Sequence, residues 1–199
     1  MDGIYRRQRL IYDATRKYFL FGRDYLIERL APTASMSVLE VACGTGRNLD
    51  LIGQRYPEAR LYGFDISSEM LISARAKLGT RAELAEGDAT DFAPGKMFGV
   101  GGFDRIVLSY AISMIPDWQA AIAEAVRHLN PGGELHIVDF GDQAGLPRVF
   151  KSGLRAWLAK FHVQPRDSLN DVLSSHGWQY ECRSLYRGYA VFAVITRAP

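Results

Sequence analysis

A chain of 199 residues that is 48% hydrophobic and 23% charged can bury one sizeable core, which excludes fibrous and disordered readings and makes a single domain over residues 1–199 the expectation. A net charge of +2 gives no global case for a nucleic-acid partner, so charge has to be read locally. Cys43 and Cys182 lie far apart with no metal-ligand spacing, so no metal site or disulfide framework is expected, and a reducing cytoplasm fits best.

In chain order, residues 1–32 precede the first strand and read as one or two helices interrupted near Phe21-Gly22-Arg23, forming a lid or substrate region. This N-terminus lacks an apolar signal core, and no run of about 18 apolar residues follows anywhere. From Ser37 onward apolar bursts alternate with helix-period segments, the pattern of βαβ units in a mostly parallel sheet. The bursts are Val38–Val41, Arg60–Phe64, Ala82–Ala85, Phe103–Ser109, Glu134–Asp139, Tyr180–Leu185 and Tyr189–Thr196. Helices are expected at Asn48–Arg55, Glu69–Leu78 and Trp118–His128, with Ser67 or Ser68 capping the second and Asn130-Pro131-Gly132-Gly133 ending the third in a tight turn. Pro94–Gly102 reads as a glycine-rich loop, and an insert spans about 141–170. No helical pattern separates the last two bursts, so Arg187-Gly188 predicts a hairpin and an antiparallel edge. The fold class is therefore α/β, a doubly wound, mostly parallel seven-stranded sheet.

The first strand runs straight into a glycine turn, VLEVACGTGRN. A P-loop would need a lysine after the second glycine, and none stands there. A dinucleotide fingerprint would need a third glycine, where the chain has Leu49. Glu40, at the end of the strand, would repel a pyrophosphate but accepts from hydroxyl or ammonium donors. Nineteen residues after Gly46, Asp65 closes the second strand, placed to take both hydroxyls of a ribose, and Asp88 follows the third strand, suited to an adenine amino group. Taken singly, each acid could equally be a cap, a pairing group or a turn residue. Together they point to one nucleoside-like, cationic ligand without phosphate.

The motifs EVACGTG, YGFDISSEML, EGDATDF, FDRIVLSYAISMI and LNPGGELHIVDF, in this order from Val38 to Arg197, resemble those of the class I S-adenosylmethionine-dependent methyltransferases. The resemblance implies a Rossmann-like core, S-adenosylmethionine as donor and S-adenosylhomocysteine as product. It implies that Glu40, Gly44, Thr45 and Gly46 frame the cofactor, with Ala42 where the family commonly has glycine. Asp65 would serve the ribose beside Ile66 and Met70, Asp88 and Ala89 the adenine, and Ser109 the methionine end. Methyl transfer from a sulfonium asks mainly for proximity and in-line alignment.

Acceptor specificity belongs to the N-terminal region and the insert, which can cover the crevice. In the insert Phe150, Leu154, Trp157, Leu158 and Phe161 fall at helical spacing flanked by Lys151, Arg155 and Lys160, a pattern that suits an anionic membrane surface or, equally, packing on the sheet with solvated cations. The run IYDATRKYFLFGRDYLI joined to EVACGTGRN further resembles the methyltransferases that make betaine lipids by N-methylating diacylglyceryl-homoserine. That resemblance implies trimethylation of a lipid amine by a cytoplasmic enzyme peripheral at the inner membrane surface. Tyr12, Tyr18 and Tyr110 would line the transfer site, or else pack in the core or lid; Asp139, closing the fifth strand, would hold the ammonium or accept its proton, or equally pair structurally; His162 would contact the headgroup or relay a proton, or be a plain surface or core residue; and Arg16, Arg23 and Arg47 compete for the carboxylate. The alternative keeps the donor and changes the acceptor to a soluble small-molecule amine or a quinone precursor. A binding module without activity is a third reading. No NPPY or DPPY follows the fourth strand, where Leu108-Ser109-Tyr110-Ala111 stands instead, which argues against a nucleic-acid substrate. Oligomeric state is left open.

Overall fold

The computed structural model describes residues 19–199, so Tyr12, Arg16 and Tyr18 lie outside the described residues. Seven strands form one sheet: β1 Ser37–Val41, β2 Arg60–Asp65, β3 Ala82–Glu86, β4 Phe103–Ser109, β5 Leu129–Phe140, β6 Gln179–Leu185 and β7 Ala190–Thr196, in the order β3-β2-β1-β4-β5-β7-β6. The pairings among β1 to β5 are parallel, and β7 is antiparallel to both β5 and β6. This is the doubly wound, Rossmann-like α/β sheet with an antiparallel edge hairpin that the sequence leads one to expect. Helices α1 Arg23–Leu30, α2 Arg47–Arg55, α3 Ser68–Leu78, α4 Pro94–Phe98, α5 Trp118–Arg127, α6 Arg148–Ala159 and α7 Leu169–Ser175 surround it.

The central strands are apolar on both faces because both are covered. Successive residues alternate between two cores: Leu39, Ile106 and Leu108 pack with Ile122 and Ala125 of α5, while Val38, Val107 and Val138 pack with Leu49 and Ile52 of α2 and Leu26 and Leu30 of α1. The chain winds outward from β1 to β3 and then returns to β4. The C-terminal ends of β1 and β4 therefore diverge into a crevice at the switch point, where ligands of such sheets bind. Ser67 caps α3 by accepting from the Met70 N–H at 3.4 Å, and Asp117 caps α5 through the Ala120 N–H at 3.2 Å.

Three local expectations are corrected. Residues 130–133 are not a turn between helix and strand: β5 already begins at Leu129, and its register jumps from Phe103↔Leu129 to Arg105↔Glu134, leaving those four residues as a bulge. The loop at 94–102 contains the short helix α4, opened by Pro94 in its first turn. A further helix, α7, precedes β6, where the sequence carries too short an apolar pattern to announce it.

The N-terminal edge of the described chain is pinned from several sides. Arg105 Nε donates to Leu30 O at 3.0 Å, and Tyr56 Oη to Ile27 O at 3.0 Å, fastening α1 to the sheet and to α2. Ahead of α1, Tyr110 Oη donates to Phe21 O at 2.5 Å and Tyr189 Oη to Phe19 O at 2.8 Å. Residues 19–22 thus lie across the C-terminal ends of the strands.

Close approach of α2 to the sheet depends on glycine. At Gly63, in the middle of β2, a Cβ would stand 2.6 Å from Leu49 Cδ1 and 3.1 Å from Leu84 Cδ2. Gly63→Ala is expected to destabilise the protein by about 1–3 kcal/mol, read as a lower urea midpoint at unchanged slope.

Candidate functional site

The turn after β1 takes its shape from three left-handed residues, Ala42 at φ 55°, Gly44 at φ 54° and Gly46 at φ 72°. Gly46 is doubly required, since a Cβ there would also meet Leu78 Cδ1 at 2.7 Å. Ala42 has no such freedom, and holding it left-handed costs about 1–2 kcal/mol. Asp65 stabilises the turn from the neighbouring strand. Its Oδ2 accepts from the Gly44 N–H at 2.8 Å and its Oδ1 from the Ser67 N–H at 2.9 Å, joining the glycine turn to the start of α3. Each oxygen keeps a second lone pair for a ligand hydroxyl. Beside it Ile66 is 71% exposed and Met70 is half-buried, while Thr45 accepts from Lys77 Nζ at 3.5 Å.

Glu40 lies beneath the turn, fully enclosed. Its Oε1 accepts from Asn48 Nδ2 at 2.7 Å, and its Oε2 makes no hydrogen bond. Burial pushes the carboxyl up from its ordinary 4.5 to about 7; the Asn48 amide, the Arg23 guanidinium and the Leu49 N–H pull it back only in part. Asn48 Oδ1, Arg47 Nη1 and Ser109 Oγ are likewise buried without partners. Such atoms cost about 1–3 kcal/mol each when left unmatched; Glu40 stands in β1, Arg47 and Asn48 open α2, and Ser109 ends β4. Two are acceptors, one is a cationic donor, and the hydroxyl is either. The set matches a ligand carrying both an ammonium and a carboxylate, the zwitterionic end of an amino acid. Asp88, at the tip of β3, accepts from the Thr90 N–H at 2.8 Å and from Thr90 Oγ1 at 2.7 Å, which holds its carboxyl below the usual carboxylate range; Ala89 next to it is buried. No group of three metal-ligating side chains occurs among the described residues. Burial pushes the Cys43 thiol up, away from nucleophilic use.

Beyond the tip of β4 lies a second, apolar pocket. Its walls include Phe19, Tyr110, Met114, Phe140, Trp157 and Phe161, and about 460 Å³ is free of protein atoms, counting the solvent at its mouth. The Tyr110 and Phe140 rings meet edge-on at 4.8 Å and Trp157 and Phe161 at 5.0 Å, while Phe19 and Trp157 are tilted to each other at 5.3 Å. Besides the Tyr110 hydroxyl and the Trp157 indole N–H, the lining carries Ser113, whose buried Oγ has no partner.

Tyr110 is thus brought to the pocket wall, but its hydroxyl is engaged by Phe21 O and burial holds its pKa well above the usual tyrosine value. Asp139 is buried behind the wall: Oδ2 accepts from the Ser113 N–H at 3.0 Å and Oδ1 from the Phe140 N–H at 2.7 Å, so it braces the loop that carries Ser113. Arg166 braces the same loop through Ile112 O and Ile115 O, at 2.9 and 2.8 Å. His162 is exposed at φ 57° on the turn before Val163 and is absent from the lining, so the structure does not bring it together with Tyr110. Asn48, Ser113 and Phe140 were not singled out by sequence. For Asn48 a signal existed, a polar residue one helical turn before Ile52 on the buried face of α2. For Ser113 there was none.

Residues 38–133 match the family described as methyltransferase domain. The ubiquinone/menaquinone biosynthesis C-methyltransferase UbiE of Dinoroseobacter shibae is 33% identical over 172 residues, 83% of this chain and 65% of that protein. The trans-aconitate 2-methyltransferase of Azoarcus sp. is 34% identical over 116 residues, 58% of this chain and 43% of its own length. The chain therefore spans less than two thirds of these curated relatives. Among solved structures, the plantazolicin methyltransferase BpumL superposes with a TM-score of 0.73 at 17% identity, covering 100% of this chain and 92% of that one, and a putative methyltransferase from Haloferax volcanii gives 0.74 at 16%, covering 94% and 93%. At those identities the likeness is one of fold.

The folded state raises the Glu40 pKa, so its contribution to stability is fully present below about pH 4.5 and is lost as pH rises through about 7. In ligand-free protein Glu40→Gln is expected to remove a fall in unfolding free energy of about 2 kcal/mol between pH 5 and pH 8. Urea titrations of both proteins across that range check it; parallel pH profiles would remove the assignment.

Proposed function

We propose that the chain is a class I S-adenosylmethionine-dependent methyltransferase, which the family match over residues 38–133 supports, and that it transfers a methyl group from this donor to an acceptor whose apolar part enters the aromatic-walled pocket. The donor, when bound, supplies an electrophilic methyl carbon on a sulfonium. Glu40 would accept from the ammonium of its methionine end and Arg47 would donate to the carboxylate, which would give two of the buried orphan groups a partner. Asp65 would accept from the ribose hydroxyls, Asp88 from the adenine amino group, and the exposed Ile66 would offer the purine an apolar contact. S-adenosylhomocysteine, named with the BpumL structure, fits the same contacts.

The observation that carries the acceptor class is the pocket lining, with aromatic rings on several sides and Ser113 as its unsatisfied polar group. An apolar ring or chain with one hydrogen-bonding atom suits it; a compact polyanion does not. A quinone precursor is the reading the UbiE relative supports. A lipid amine of the diacylglyceryl-homoserine kind is the second reading, favoured by one feature: Tyr110, Phe140 and Trp157 share one lining, and an aromatic ring presenting its face to a quaternary ammonium contributes about 0.5–2 kcal/mol. No named relative acts on such a lipid.

Incubation with methyl-labelled donor and, in separate reactions, a demethylated quinol, diacylglyceryl-homoserine and trans-aconitate tests the proposal. Label is expected in one of the two apolar acceptors; transfer to trans-aconitate alone would overturn it. Asp65→Ala is expected to weaken S-adenosylhomocysteine binding at least about tenfold, with the far-ultraviolet spectrum unchanged, and calorimetric titration reads the loss.

A further inference from the structure

Helix α6 is seated on the protein through Leu158, which is buried, and through the half-buried Leu154 and Trp157. Its first turn is turned outward: Val149 is 88% exposed and Phe150 54%. These side chains belong to a larger pattern. Nine large apolar residues are exposed among the described residues, and seven of them lie on the segments framing the pocket mouth, including Phe21, Met114, Phe161 and Tyr186. A concentration of this kind marks a surface that meets something apolar.

Charge identifies what that is. From Gln143 to Arg166 the sequence holds five Lys and Arg residues and no Asp or Glu. Arg155 is matched by Asp167 at 2.8 Å, whereas Arg148 and Lys160 stand exposed at the two ends of α6. A second copy of the chain would bring like charge against this face. Residues 1–18 are of the same sign, with Arg6, Arg7, Arg9, Arg16 and Lys17 against Asp2 and Asp13. An anionic bilayer complements both features, since its headgroups attract the cations and its acyl region receives Val149 and Phe150.

We propose that the face formed by α6 and the pocket mouth docks on an anionic phospholipid bilayer, so that an apolar acceptor passes from the lipid into the pocket without crossing water. The second clause rests on the acceptor class proposed above; docking itself does not. Binding is therefore tested without donor or acceptor. The full chain is sedimented with vesicles of phosphatidylglycerol and phosphatidylcholine, or of phosphatidylcholine alone, at about 0.05 M and about 0.5 M salt. Partition is expected only on the anionic vesicles, weaker by about tenfold or more at the higher salt. Val149→Asp combined with Phe150→Asp, and separately Arg148→Glu combined with Lys160→Glu, are each expected to lower it by about tenfold or more at unchanged S-adenosylhomocysteine affinity. The proposal is overturned if no partition occurs, if both double variants bind vesicles as the parent does, or if light scattering finds a dimer that the Val149 and Phe150 changes dissociate. Loss of partition with methyl transfer to dispersed acceptor intact would leave the catalytic reading standing; intact partition without transfer would leave the docking reading standing.

Discussion

One carboxylate fixes the geometry on which the crevice depends. Asp65 closes β2, yet its two oxygens are spent on the N–H groups of Gly44 and Ser67, which belong to the turn after β1 and the start of α3. Charged acceptors make hydrogen bonds about twice as strong as neutral ones, and here a single charge sets the relative position of two strand ends and two helix starts. The glycine turn cannot be placed by packing alone, because its residues have little side chain to pack. Desolvated behind it, Glu40 and Asn48 hold each other but leave one oxygen apiece unmatched. A rigid frame with unmatched polar atoms inside it is a preorganised binding site.

The strands were legible because every residue of β1, and nearly every residue of β2, is buried, so apolar runs had to appear in the sequence. The acids at their tips were legible for a related reason: each is the next residue or two along the same run, a local relation. What escaped is what tertiary structure assembles. Ser113, Phe140 and Phe19 come from three distant segments and share a wall only after folding. The bulge at 130–133 escaped because the dipeptide Pro131-Gly132 signals a break in pairing without saying whether the strand resumes on its near or far side. Helices α4 and α7, of 5 and 7 residues, are too short for a periodicity to establish itself. Tyr110 was placed at the site from its neighbours in sequence, but its hydroxyl does structural duty there, which no linear pattern conveys.

Strain is concentrated at the same edge of the sheet. Ala42 and Tyr110, the first residues beyond β1 and just beyond the last of β4, both adopt left-handed backbone, at φ 55° and 54°. Neither has glycine's freedom, and such conformations persist only where their surroundings over-determine them. For Tyr110 those surroundings are visible: its N–H donates to Val138 O at 2.7 Å, its hydroxyl to Phe21 O, and its ring meets Phe140. The two strands on either side of the switch point therefore turn away from each other sharply, and the opening between them is kept by backbone geometry as well as by side chains.

The enclosed carboxyl of Glu40, poised near neutrality, has one more consequence. Any cation that settles against it displaces whatever share of a proton it carries into the solvent's buffer, and the carboxyl takes that share up again when the cation departs. Occupancy of the crevice and exchange of protons with the medium then become two faces of one event, so heats of association would vary with the ionisation enthalpy of the chosen buffer.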